Sequence, residues 1–351
     1  MKNSQKKLTE ISELGEFGLI SQITKDVKNK HKNTLKGIGD DAAVIDYGNI
    51  CSVITTDLLI EGIHFNLIYT PLKHLGYKAV VVNLSDVYAM NATPKQITVS
   101  LAISKKFAVD HIEEIYDGIK LACEVYNVDL VGGDTSSSLT GLAISVTAIG
   151  EAKKEEIIYR NTAKDTDIIC VTGNLGGAYM GLQLLEREKE IFNANPGTQP
   201  KLEGYDYILQ RQLKPEARKD IIELLKELKV KPTSMIDISD GLSSELLHIC
   251  KNSDVGCKIF QDKIPIDLDT EKMAQEFKIE PLIAALNGGE DYELLFTVNI
   301  NDFEKIKDHA LIHPIGHITG KKNGSVLITQ AGQAIPLQAQ GWNPLKNKEK
   351  K

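Results

Sequence analysis

The stretch Leu75–Met90, LGYKAVVVNLSDVYAM, decides the reading of this chain. Leu75, Ala79, Val82, Asp86 and Ala89 recur at steps of four and three, which is the period of one helix face. The spacing therefore predicts a helix with a carboxylate, Asp86, on its apolar side. An interior carboxylate needs a cation or several donors, so one stretch supplies both a structural element and the first candidate for chemistry. Around it, Cys51–Thr56 (CSVITT), Gln96–Ser104 (QITVSLAIS) and Gly141–Gly150 (GLAISVTAIG) are β-branched or alternating and predict strands. His111 to Tyr126 predicts a second amphipathic helix, with Tyr116 on its core face. Asp129–Val131 predicts a short strand running into Gly132-Gly133-Asp134. Before the first strand, Ser12 to Ser21 reads as a helix using Leu14, Phe17 and Leu19, and Lys25 to Lys36 as a polar loop.

A second block of strand and helix begins near Glu151. Asp167–Thr172 is a strand, Gly173–Gly177 a glycine turn and Ala178–Glu188 a helix. Asn193–Gly204 reads as an exposed loop. Lys219–Leu228 reads as a helix, Met235–Ser239 as a strand, Gly241–Cys250 as a helix with Asp240 at its N-cap, and Leu294–Val298 as a strand. The fold class expected is α/β (α+β), in two lobes: 1–150, 151–345, and a solvated tail, 346–351 (KNKEKK). A length of 351 residues suits two lobes. Ser85-Asp86 followed by Gly132-Gly133-Asp134 echoes Ser239-Asp240 followed by Gly288-Gly289-Glu290. The echo is equally consistent with two lobes built alike and with coincidence.

The carboxylates gather in short clusters flanked by Gly, Ser or Thr: Asp40-Asp41, Asp57 after Thr55-Thr56, Asp86, Asp134, Asp237 with Asp240, and Glu290-Asp291. Several fall at strand ends, where loops collect into sites. Convergent carboxylates repel, and divalent cations offset the repulsion; Mg²⁺ takes a few carboxylates plus waters and substrate phosphates. Taken singly, each cluster is also what a solvated turn or helix cap looks like.

Other chemistries are excluded. Gly37-Ile-Gly39-Asp-Asp-Ala42 fits a dinucleotide fingerprint, but the preceding KNKHKNTLK is no apolar strand. No P-loop lysine motif occurs, and no Ser/His/Asp, Cys/His or His-x-x-x-His arrangement. Gly173–Gly177 could cradle a phosphate at a helix N-terminus or be a tight turn. His64 could touch substrate or be structural. The net charge of −7 argues against nucleic acid as partner. Five cysteines without a Cys-x-x-Cys suggest buried thiols in a reducing compartment. The N-terminus lacks a leader pattern, and no apolar run reaches the ~20 residues of a membrane span. A cytoplasmic protein without membrane partners is expected.

The ordered set GIGDDAAV, TTD, GIHF, KAVVVNLSDVYAM, VGGDT, IDISDGLSSEL and GGEDYELLF resembles the thiamine-monophosphate kinase family, within the ATP-binding superfamily of aminoimidazole-ribonucleotide synthetase. The resemblance runs from about Gly15 to about Trp342. It implies transfer of phosphate from ATP to thiamine monophosphate, giving thiamine diphosphate, without a general base. It implies an N-terminal ATP/Mg²⁺ lobe whose mixed sheet pairs across a homodimer, and a C-terminal α/β substrate and nucleotide lobe. Carried over by motif, Asp41, Thr55, Thr56, Asp57, Asp86, Asp134, Asp237 and Asp240 are expected to hold several Mg²⁺ ions. Gly133, Asp134, Arg160 and Ser239 are expected at ATP, and His64, Glu290 and Trp342 at the substrate. Glu186–Tyr207 is longer than the family's spacing. The rivals are a sister enzyme acting on a purine-pathway precursor, and a non-catalytic nucleotide or metal sensor.

Overall fold

The computed structural model describes residues 10–340. Trp342 and the 346–351 tail lie outside the described residues. The chain forms two sheets. The first contains β1 (Thr34–Lys36), β2 (Ala43–Asp46), β3 (Cys51–Ile60), β4 (Thr93–Ile103), β5 (Asp129–Ser137) and β6 (Ala143–Ala152), in the order β1-β2-β3-β6-β4-β5. Every neighbouring pair is antiparallel except β4–β5. The second contains β7 (Ile168–Thr172), β8 (Ser234–Asp237), β9 (Val255–Phe260), β10 (Leu294–Val298), β11 (Ile312–Gly320), β12 (Ser325–Ile328) and β13 (Ala334–Pro336). Its order is β13-β12-β9-β11-β7-β10-β8, with only β12–β9 parallel.

Two helices, α2 (Leu72–Ala89) and α3 (Val109–Tyr126), pack against one face of the first sheet; α1 is Ile11–Thr24. The alternation of β6, AISVTAIGEA, buries every second side chain, as a strand covered on one face requires. Helix α2 is buried from Leu75 through Ser85 because the sheet lies on one side of it and α3 on another. The close crossing of α2 and α3 has a sequence cause. A Cβ on Gly76 would stand 1.9 Å from the Ile115 carbonyl oxygen, and one on Gly118 would stand 1.9 Å from that of Lys73. Each helix thus presents a glycine to the other's backbone.

The second sheet carries α4 (Gly177–Ala194), α5 (Asp206–Leu213), α6 (Lys219–Glu227), α7 (Leu242–Ser253), α8 (Leu268–Glu276), α9 (Pro281–Asn287) and the short α10 (Ile300–Phe303). The largest buried apolar cluster is not confined to one sheet. It joins Tyr77, Val80 and Tyr126 to Ala217, Ile221, Met235 and Phe296.

Several expectations need correction. The polar stretch 25–36 ends in a strand, β1, which pairs with β2. The short strand at Asp129 runs nine residues, so Gly132-Gly133-Asp134 lies within β5 and not in a loop. Helix α7 has Gly241 at its N-cap, with no side-chain cap bond, so Asp240 is not the cap. Helix α1 forms but is kinked at Gly15 (φ 66°), and Phe17 stays half exposed with its ring edge on His248. The internal echo has no structural counterpart: Asp86 sits inside α2, whereas Asp240 sits in the turn between β8 and α7.

Candidate active site

Helix α2 points Asp86 inward, as its phase predicts. There it meets Asp41, from the turn before β2, and Asp237, at the end of β8. One carboxylate oxygen from each lies within 4.8 Å of the others. The side chain of Thr55 completes this corner, its hydroxyl donating to Asp86 Oδ2 at 2.6 Å. Ser85 donates to Asp237 Oδ2 at 2.6 Å, tying α2 to the second sheet. Asp57 stands beside them; its backbone N–H donates to Asn83 Oδ1 at 2.9 Å. Asp57, Asp86 and Asp237 line a cleft that continues past Ser239 to His64, Lys78, Glu290 and Tyr292.

Burial and mutual repulsion make these acids reluctant to ionise. Burial pushes Asp57 up to about 6. Asp237 rises to about 6 through burial, against the Ser85 hydrogen bond. Asp240 also rises to about 6, through burial and then repulsion from Glu16 and Asp237. Asp41 and Asp86 are held well above the ordinary carboxylate range, first by burial; neighbouring aspartates add to the rise at Asp86, whereas at Asp41 the Arg160 guanidinium opposes it. Asp41 Oδ2 is buried with no hydrogen-bond partner among the described residues. Three hard oxygen donors converging with an orphaned oxygen fit a divalent cation.

Arg160 pairs with both members of the Asp40-Asp41 turn: Nη2 meets Asp41 Oδ1, and Nε lies 3.4 Å from Asp40 Oδ1. Burial disfavours its charge, but Asp41 and Asp40 outweigh that and raise its pKa. Asp40 serves the turn, accepting also from the Arg160 backbone and pairing with Lys36 at 3.2 Å.

The GGEDYE segment shapes the other end of the cleft. Gly289, Glu290 and Tyr292 all have positive φ, at 71°, 57° and 51°. Two non-glycine residues in that region cost energy, and a dense network holds them. Glu290 N–H donates to Ser239 O at 2.7 Å and Tyr292 N–H to Ile238 O at 2.9 Å. Below, Glu293 accepts from Thr172 (2.6 Å), Arg211 (2.9 Å) and Arg218 (2.6 Å). Asp291 accepts from the Gly176 N–H at 2.8 Å, so its carboxylate occupies the N-terminus of α4. The glycine turn at 173–177 thus gives its Gly176 N–H to Asp291, as a tight strand–helix turn does.

His64 Nδ1 accepts from the Ile60 N–H at 3.0 Å. Burial is the first cause lowering its pKa, so the ring is neutral near pH 7 with its proton on Nε2.

Three expected residues are not brought to this cluster within one chain. Thr56 faces the opposite side of β3 from Thr55, donating to Val146 O and accepting from Thr147. Gly133 and Asp134 sit on edge strand β5, whose residues are all exposed. Three strand spacings separate β5 from β3, roughly 14 Å. Gly133 has a packing reason as well, since a Cβ there would stand 1.8 Å from the Val99 carbonyl oxygen. The sequence reading missed Lys78, Asn83 and Glu245. Glu245 is 2% exposed and accepts from the Asp240 N–H at 2.7 Å; its spacing after Ser-Asp-Gly was the available signal.

The larger of the described cavities, about 220 Å³, lies apart from this site, between Tyr88, Tyr126 and α6, and holds no acidic cluster.

A two-sheet α/β fold with a buried aspartate cluster at the junction defines an AIR synthase-related protein. Residues 39–152 match the family model for the N-terminal domain of AIR synthase related proteins. Across nearly its whole length the chain is 35% identical to the thiamine-monophosphate kinase of Bacillus subtilis strain 168, covering 95% of this chain and 100% of that protein. It is 37% identical to that of Aquifex aeolicus strain VF5, covering 82% and 87%. Among solved structures it is similar to AaThiL complexed with AMPPCP and TMP, with TM-score 0.82 and 33% identity, covering 97% and 100%. The chain belongs to the thiamine-monophosphate kinase family.

Proposed function

We propose that this chain phosphorylates thiamine monophosphate with ATP, and that the Asp41, Asp86 and Asp237 cluster is the centre of the reaction. The observation that carries the reading is this convergence of three buried carboxylates beside a cleft reaching His64 and Glu290. The likeness to AaThiL complexed with AMPPCP and TMP supports both substrates.

An oxygen of the acceptor phosphate attacks the γ-phosphorus in line as the bond to the β–γ bridging oxygen breaks, and ADP leaves. The acceptor is already ionised, because its second pKa is about 6, so the chain needs no general base. The difficulty is bringing two polyanions together. Asp41, Asp86 and Asp237, with Thr55, Asp57 and Asp240 around them, would hold Mg²⁺, which supplies charge neutralisation on the phosphates. Arg160, at the edge of the cluster, offers a planar head to ATP, and Ser239 borders the same corner. His64, held through Nδ1 by the Ile60 N–H, lines the cleft at the substrate end, and Glu290 and Trp342 are assigned there by motif.

The reading includes an N-terminal ATP/Mg²⁺ lobe to residue 150, a C-terminal lobe over 151–345 and a 346–351 tail, in a cytoplasmic homodimer. The open face of the first sheet favours pairing: Leu58 and Ile60 are exposed on it. With β5 on that open edge, Gly133 and Asp134 are assigned to the partner copy's site. Among the described residues no helix is long and apolar enough to cross a membrane.

The test is product formation from ATP, Mg²⁺ and thiamine monophosphate, with free thiamine and aminoimidazole-pathway substrates in parallel. Thiamine diphosphate formed only from the monophosphate, and only with metal, is the expected result. Turnover of a purine precursor instead would move the chain to a sister branch.

A further inference from the structure

The cleft holds one residue that neither the motif assignment nor the acidic cluster accounts for. Lys78 enters from α2, a little over two turns before Asp86. Its side chain is 6% exposed. The ammonium donates to the Gln212 backbone oxygen at 3.0 Å and pairs with Glu290 Oε1 at 3.0 Å. Glu290 Oε2 in turn accepts from Gln212 Nε2 at 2.8 Å. Lys78 lines the same cleft as Asp57, Asp86, Asp237, His64 and Glu290, and it is the one Lys or Arg among the lining residues.

A purely structural pair explains this poorly. Sinking an ammonium almost out of water is costly, and its partner Glu290 is 29% exposed, with water available to it. An ammonium has three N–H donors, and the two described partners use two. Apart from Lys78 and His64, the charge-bearing side chains of the cleft wall are acids, Asp57, Asp86, Asp237 and Glu290, whereas the acceptor is an anion. The aspartate cluster and its metal answer for charge at one end only. At the other end, where His64 and Glu290 stand, an anionic acceptor would meet a carboxylate and a neutral imidazole.

We propose that Lys78 is a catalytic residue of this kinase. Its remaining N–H binds a phosphate oxygen of the acceptor, while Glu290 and Gln212 hold the ammonium in place. The lysine thereby distinguishes a phosphorylated acceptor from an unphosphorylated one. This rests on the kinase reading above, and wild-type formation of thiamine diphosphate decides that reading separately.

The experiment compares binding of thiamine monophosphate, free thiamine and a non-hydrolysable ATP analogue, with Mg²⁺, by calorimetric titration of wild type, Lys78→Met, Lys78→Gln and Lys78→Arg. A hydrogen bond from a charged donor predicts a loss of roughly 10- to 100-fold for thiamine monophosphate in Lys78→Met. Thiamine and the ATP analogue should change less than about threefold, and Lys78→Arg should recover most of the loss. Lys78→Gln keeps a donor for the Gln212 oxygen, so it reads the same ratio should Lys78→Met fail to fold. An equal loss for thiamine and its monophosphate would make Lys78 structural and overturn the proposal. So would a loss confined to the ATP analogue, or no loss at all.

Discussion

Without metal, this protein should become less stable as pH rises through the acidic range, and the aspartate cluster sets the size of the effect. Asp57 is pushed up to about 6 in the folded chain, from an ordinary value of 3.8. Below pH 3.8 the carboxyl is protonated in both folded and unfolded states and costs nothing. Between those values the unfolded chain releases the proton and the folded chain resists. Above 6 the folded chain must carry the buried charge at full cost. Stability is therefore present at low pH and lost as pH rises through 6. Two pKa units correspond to about 3 kcal/mol. Asp237 and Asp240 move the same way, but the three repel one another, so their contributions do not add. One group's worth is on the order of 4 °C in Tm for a chain of this size. Thermal unfolding followed by circular dichroism in EDTA, from pH 4.5 to 8, reads this. Asp57→Asn should remove about 2 kcal/mol of the change across this range, the part that lies between about pH 4.5 and 6. Mg²⁺ at a hundred times its Kd should restore about 2.7 kcal/mol above pH 7 and much less at pH 5. A wild type whose Tm is flat across the range in EDTA would refute the reasoning. So would an Mg²⁺ increment equal at pH 5 and pH 8.

Asp237→Asn should lower kcat by at least about a hundredfold with a normal circular dichroism spectrum, since it removes a charge from the cluster while the amide can still meet Ser85. A steady-state assay within tenfold of wild type would remove Asp237 from the metal site. If Asp134 serves the partner's site, mixing inactive Asp57→Asn and Asp134→Asn chains should recover roughly a quarter of wild-type activity, from the one intact site in each mixed dimer. Activity that stays at the level of the single variants would place Asp134 in its own chain's site. Gly118→Ala should destabilise by about 1–3 kcal/mol or more, because the new methyl meets the Lys73 carbonyl; urea unfolding with an unchanged midpoint would contradict the close crossing of α2 and α3.

The site was legible where local period carries the information. The phase of α2 places Asp86 inside from sequence alone, and the same period-2 logic that orders β3 separates Thr55 from Thr56, although the motif names both. The strand holding Asp134 was read too short because the glycines before it suggest a loop, whereas they continue β5. Lys78 and Glu293 were invisible because their partners lie far along the chain: Gln212 and Glu290 for one, Thr172, Arg211 and Arg218 for the other. The left-handed backbone at Glu290 and Tyr292 is likewise imposed by tertiary contacts. In the second sheet, β11 (IHPIGHITG) carries Pro and Gly inside the strand, and β12 and β13 are short, so propensity does not announce them.

The apolar cluster shared by the two sheets has a consequence for how the molecule comes apart. Tyr77 and Tyr126 of the first half both donate to Glu216 of the second, and Val80 belongs to the same buried cluster as Ile221 and Phe296. The second half has smaller apolar clusters of its own, but the largest interior is shared between the halves. Cutting the chain after Ala152 would leave each fragment with a wet apolar face, so the halves should melt in one cooperative step and neither should fold when expressed alone. Any opening and closing of the cleft would then fall to its rim, the 61–66 and 239–241 turns, and not to the shared interior.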